Sequence, residues 1–312
     1  MYSYGYAGQL LAYNITTGHI DWNWSAPYMG LDETPYPQTP LSLGAIADGK
    51  MYMYTSEHSV TSPIRRDAKI YCVDAETGKL YWAVSAWPSG APIISDGRLI
   101  VYDILDGSIA CYGQGNSKTT VSAPQAVPSL GSSVTITGTV TDDTPTGRLN
   151  TNAAGKSIFG STTRQDAMDY DFVLRGTPAI SDADMDAWME YMYHQRTMPA
   201  NAKGVEVTLD AIDPNNNFIH IGTVTSDITG AYGFVWQPEV PGTYQIIATF
   251  GGSAAYSASF AQTYMGVGEE VITPPPIEQV VQLPPFEMYT LYATIAIIVA
   301  VAIATFLLLR KK

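Results

Sequence analysis

Asp182, Asp184 and Asp186 stand at alternate positions, the spacing at which one loop can aim several carboxylates at a Ca²⁺ ion. The EF-hand loop also needs a Gly just after its third ligand and a bidentate Glu at its end, and Ala187 and Tyr193 hold those places. Acidic residues at the start of a helix explain the triplet better, because they face the positive end of the helix dipole. Asp166, Asp169 and Asp171 form a looser acidic set whose spacing specifies no metal. The four histidines, His19, His58, His194 and His220, lie in separate segments without metal-ligand spacing and without a Ser or Cys partner. Cys72 and Cys111 are expected as two buried thiols, not a bridge, because they occupy like places in successive copies of a repeat. No catalytic residue, resident metal or cofactor is expected.

The acidic triplet opens a helix expected over residues 181–196, with Ser181 as its cap and His194 and Arg196 at its negative end. Met185, Trp188, Met189 and Met192 fall on one face of it at helical spacing. That stripe packs on its own domain or, because Met adapts to many shapes, forms a partner-binding face.

A repeat organises the chain before this helix. Asn14-Ile15-Thr16-Thr17-Gly18-His19-Ile20-Asp21-Trp22 recurs as Asp74-Ala75-Glu76-Thr77-Gly78-Lys79-Leu80-Tyr81-Trp82, and Asn14, Gly18 and Trp22 each have a counterpart sixty places on. Each copy reads strand, tight turn, strand, with Gly where the turn needs a positive φ. Asp48-Gly49 and Asp96-Gly97 head a second repeated hairpin, and Asp106-Gly107 starts a further partial copy. These elements resemble the β-propeller repeat of quinoprotein type, often called PQQ-like. The resemblance covers residues 1–116 and implies that Trp22 and Trp82 dock neighbouring blades. It implies no bound quinone here, since the adjacent cysteine pair of that family's dehydrogenases is missing. A closed propeller takes four to eight blades. The two to three blades counted here therefore predict further blades, from upstream sequence or from another chain.

Residues 117–268 change to Thr/Val alternation, with Val134, Ile136 and Val140 on one strand face. Short alternating strands separated by Asx, Pro and Gly turns predict an antiparallel sandwich, interrupted by an insertion at about 143–203 that carries the helix. The run from Thr225 to Trp236, then Pro241-Gly242-Thr243-Tyr244, resembles the immunoglobulin-like repeats of prokaryotic surface proteins. Residues 269–288 are Pro-rich and read as a stiff spacer.

Residues 289–309 contain no charged side chain and match the roughly 20 apolar residues that cross a bilayer as a helix. Arg310-Lys311-Lys312 follows and predicts a cytoplasmic C-terminus, leaving residues 1–288 outside. The net charge is −13, or −16 without those three cations, which disfavours nucleic acid as a partner. No secretory signal is visible at the N-terminus. Two expectations follow: a longer reading frame that supplies both signal and blades, or a tail-anchored protein facing the cytosol. Asn14 and Asn23 head glycosylation sequons.

The expected architecture is mainly β: a partial propeller, an Ig-like sandwich with a helical insertion, a Pro-rich stalk and one transmembrane helix. The whole resembles membrane-anchored archaeal surface proteins, which implies a cell-surface binding or scaffolding role with envelope proteins or glycans as partners. The enzymatic alternative is a fragment of a quinone-dependent dehydrogenase.

Overall fold

The computed structural model describes residues 1–28, 38–55, 68–104, 107–145, 176–194, 196–269 and 286–310. Expectations about the loop after residue 30, His58, the acidic set at 166–171, the Pro-rich spacer and the last two lysines lie outside the described residues. The chain divides into a compact unit, Met1–Glu270, and a second unit, Val271–Lys312.

Three antiparallel sheets come first. They are β1 (Tyr2–Ser3), β2 (Gln9–Tyr13) and β3 (Ile20–Ser25); then β4 (Leu41–Ala47), β5 (Lys50–Thr55), β6 (Lys69–Asp74) and β7 (Leu80–Ser85); then β8 (Ile93–Ser95), β9 (Arg98–Asp103) and β10 (Ser108–Tyr112). Asp48-Gly49 and Asp96-Gly97 have φ of 50°, 68°, 50° and 70°, the paired positive values that close a two-residue hairpin with the twist of its strands. Only the middle sheet has four strands. Tyr2 pairs with Ala12 as Tyr52 pairs with Cys72, so β1 corresponds to β5, and among the described residues the first sheet has no counterpart of β4. The third sheet has no counterpart of β7 among the described residues.

Strand alternation sends the middle sheet's two side-chain sets to two different neighbours. Met51, Met53, Tyr71 and Val73 face back onto Leu10, Trp22 and Trp24 of the first sheet. Ile70 and Val84, with Tyr52 and Trp82, face forward onto Leu99 and Val101 of the third. Each fully buried side chain of this kind contributes roughly 1.5–3 kcal/mol.

Seven strands then form two facing sheets. One contains β11 (Ser117–Ser122), β12 (Val134–Asp142) and β15 (Ala231–Trp236), in that order. The other is ordered β14 (Phe218–Thr225), β13 (Glu206–Ile212), β16 (Gly242–Phe250), β17 (Ser259–Val267). Val134, Ile136 and Val140 point inward as their alternation predicts, and they meet Val207, Leu209, Ala211, Ile246 and Ala248 from the opposite sheet. Tyr244 is fully buried, and its hydroxyl donates to the Val240 carbonyl and accepts from the Val240 amide, both at 3.0 Å. This is the tyrosine corner of immunoglobulin-type sandwiches.

Between β12 and β13 lies the helix α1 (Met185–His194), shorter at its start than expected. Residues 181–184 form a turn instead, in which the Ser181 hydroxyl donates to the Asp184 carboxylate at 2.7 Å. The second unit contains α2 (Phe286–Leu309), whose start precedes the expected residue 289. Of α2, Glu287–Leu309 is long and apolar enough to cross a membrane. Its threonine hydroxyls close onto the helix itself, Thr290 onto the Glu287 carbonyl and Thr305 onto that of Val301, which lowers the cost of placing them in lipid.

Candidate functional site

The repeated turns are superimposable in their bonding. The Asn14 Oδ1 accepts the amides of Thr16 and Thr17 at 2.9 and 3.0 Å, and the Asp74 Oδ1 accepts those of Glu76 and Thr77 at 3.0 and 2.7 Å. Gly18 and Gly78 close the turns with φ of 73° and 74°. Only the aspartate is charged. Bonds from the Tyr81 hydroxyl and then from Thr77 hold its carboxyl down to about 2. In Asn14 the same acceptor atom is occupied by the turn.

What the turns face differs. A Cβ built on Gly78 would lie 2.5 Å from the ring of Trp22, so the indole of the first sheet rests directly on the bare glycine of the second. Gly18 has nothing within 4 Å of that position. Trp82 stacks on Tyr112 of the third sheet at 6.2 Å between centroids and meets Tyr52 at 6.0 Å. Asn14, Gly18, Asp74 and Gly78 thus build the two turns, and Trp22 and Trp82 pack between sheets.

The acidic residues of the insertion fan out to three different segments. Asp182 accepts the amides of Ala254 and Ala255 at 2.8 and 3.0 Å, tying the insertion to the loop before β17. Asp184 accepts the Lys203 amide at 3.0 Å. Asp186 accepts the amide of Ala83 at 3.0 Å, and one turn of helix later Glu190 accepts the Ser85 amide at 2.6 Å and its hydroxyl at 2.9 Å. Ala83 and Ser85 lie on β7, the outermost strand of the four-stranded sheet, so two carboxylates four residues apart cover a sheet edge that would otherwise offer unpaired amides. Burial raises the Asp186 carboxyl above its ordinary value, opposed by the Ala83 amide. Each carboxylate has separate partners, and no group of three or more His, Cys, Asp or Glu placed to hold a metal occurs among the described residues.

The helix face offered as a partner-binding stripe is turned inward. Trp188 and Met192 are each 3% exposed, in a cluster with Ile180 and Tyr191, and Met185 packs partly against it. Met189 points the other way, into the core between the second and third sheets. The stripe is consumed by the chain itself, because α1 is wedged between the blade edge and the sandwich. Cys72 is buried, as expected, and its thiol is pushed up to about 12 by burial. Cys111 corrects the expectation of two buried thiols: it is exposed, since no further sheet among the described residues covers the face of β10 on which it lies.

Sequence reasoning missed Asp186 and Glu190 as edge caps, Asp182 as a tie and Tyr244 as a corner. It also missed the tie at Gln114, whose side-chain amide donates to the Ser253 carbonyl at 2.8 Å while its backbone carbonyl accepts from Arg98 at 2.7 Å. The only available signal was the i, i+4 spacing of Asp186 and Glu190, which does not reveal the strand they meet.

No protein-family model matches the sequence, and no curated protein matches it. Among solved structures, the chain is similar to fibronectin(III)-like modules of Clostridium thermocellum CbhA, at 13% identity and a TM-score of 0.27, covering 75% of this chain and 97% of that one. It is also similar to BamB from Moraxella catarrhalis, at 11% identity and a TM-score of 0.24, covering 86% and 87%. Likeness at this level carries no argument, and the strand orders described above rest on this chain's own pairing.

Proposed function

We propose that this protein is a non-enzymatic, membrane-anchored binding or scaffolding protein, with propeller-type sheets and an immunoglobulin-type sandwich displayed together on the outer face of the cell. The observation that carries the reading is the clamp of α1. Its carboxylates and those just before it hold the blade edge and the sandwich as one body, and the acidic groups that could have served chemistry act as structural ties. A separately folded apolar helix, α2, supplies the anchor. The basic cluster beginning at Arg310 supports a cytoplasmic C-terminus. Envelope proteins or glycans are the partners that such a display would meet.

Protease treatment of intact cells tests sidedness: cleavage within residues 1–269 is expected, and full protection would establish a cytosolic, tail-anchored protein instead. Incubating the purified full chain with the quinone, Ca²⁺ and an electron-accepting dye tests the catalytic alternative, and sustained turnover would overturn the non-enzymatic reading.

A further inference from the structure

The sheets of the first region are built to be covered on both faces, and the two outermost faces of the series are not. In the middle sheet, Ile70 is fully buried against the third sheet, and Cys72, two places on along the same strand face, is fully buried as well. Strand pairing identifies their counterparts in the third sheet: Cys72 pairs with Tyr52 as Cys111 pairs with Ile100, which makes Ile109 the equivalent of Ile70. Ile109 is 74% exposed, Tyr102 51% and Ile93 65%, and Cys111 is exposed beside them. Ile93, Ile100 and Cys111 lie in one row across the three strands, with Tyr102 and Ile109 forming the next row. This is a contiguous apolar sheet face, of the kind that marks an interaction site.

The first sheet is open on the opposite side. Tyr71, Val73 and Ala75 of the middle sheet pack against the first sheet, and sixty places earlier their equivalents are Leu11, Tyr13 and Ile15. Leu11 and Tyr13 are only half-buried, Ile15 is 83% exposed, and the seat at Gly18 is empty where that at Gly78 holds an indole. The chain therefore exposes both halves of an interface that it forms twice internally, one half at each end of the series.

We propose that two copies of this chain associate head to tail, the third sheet of each copy packing on the first sheet of the other. The contact continues the sheet-on-sheet interfaces already present within one chain, so the occupant of each open face is the other open face. The three sheets among the described residues of each copy would give six in a closed pair, within the four to eight of closed propellers. Lacking a fourth strand, the third sheet brings no indole to the Gly18 seat. The intermolecular contact is accordingly smaller than the internal ones, and the pair is concentration-dependent. The proposal is independent of which side of the membrane the sheets occupy.

The test is the mass of the full chain in detergent across a concentration series, by light scattering, together with the rate of Cys111 alkylation. A dimer is expected, with Cys111 reacting more slowly as the dimer fills. Ile109→Asp and Ile15→Asp replace exposed side chains, so each should leave the circular dichroism unchanged while weakening self-association at least tenfold, since a charge would be buried without a partner. Mixing the two variants should restore a one-contact pair, because each contributes the intact face that the other lacks. Three outcomes would each overturn the proposal: a wild-type chain that stays monomeric throughout the series, a dimer that survives both substitutions, or variants that fail to complement each other.

Discussion

The sandwich and the blade series both consist of twisted antiparallel sheets, and they bury them in opposite ways. The sandwich is closed on itself: its two inner faces meet in one core centred on Ile136, Leu209 and Ile246, while its outer faces mix polar residues such as Gln245 and Thr249 with exposed Phe260 and Tyr264. The blade series divides its apolar side chains between two smaller cores, one on each side of the middle sheet. A closed core tolerates no missing partner, whereas a series can stop at any sheet and leave an apolar face behind. That difference places the larger single core in the sandwich and the proposed association in the blades.

Substitutions can sharpen the contrast. The largest effect is expected from Ile246→Ala, which empties a fully buried position of the single sandwich core and should cost about 2–5 kcal/mol, measured by urea unfolding followed through a sandwich-specific signal. Gly78→Ala and Gly18→Ala form a matched pair next. Both force a Cβ into a left-handed turn, at about 1–2 kcal/mol, but only Gly78→Ala also drives a methyl into Trp22, adding about 1–3 kcal/mol. Equal losses at the two sites would show that the indole does not rest on Gly78 in solution.

Glu190→Ala removes the acceptor of the Ser85 amide and hydroxyl and should cost about 1–3 kcal/mol. Hydrogen exchange should speed up at Ser85 while amides of β16 stay protected. A uniform increase would mean that the edge and the sandwich open together. The smallest effect is a pH dependence. Because the folded carboxyl of Asp74 lies near 2 against an ordinary 3.8, its turn is favoured above pH 3.8 and loses that contribution as pH falls towards 2. The Asn14 turn carries no such titration. Asp74→Asn should therefore flatten the acid limb of the stability profile of the blade region, and an unchanged limb would show that the Asp74 bonds do not persist in solution.

Legibility in the sequence followed the range of the interactions. The turns at Asn14 and Asp74 were readable because every bond they need lies within five residues, and the inward set Val134, Ile136 and Val140 was readable because alternation is local. The start of α1 was misplaced because Ser181 and Asp184, both good caps, bond to each other in a preceding turn. The roles of Asp182 and Glu190 were not readable, since their partners are 72 and 105 positions away and nothing nearby distinguishes a tie from a solvated charge. Cys111 was misjudged for a related reason: its burial depended on a sheet beyond the third, which the repeat pattern implies and the chain does not contain among the described residues.

The clamp of α1 on β7 also sets a timetable for synthesis. Ser85 leaves the ribosome 105 residues before Glu190, which at about 5–20 residues per second is roughly 5–20 s. Throughout that interval the outer strand of the middle blade is complete but uncovered, so the nascent chain is most exposed to mispairing before its sandwich has been made.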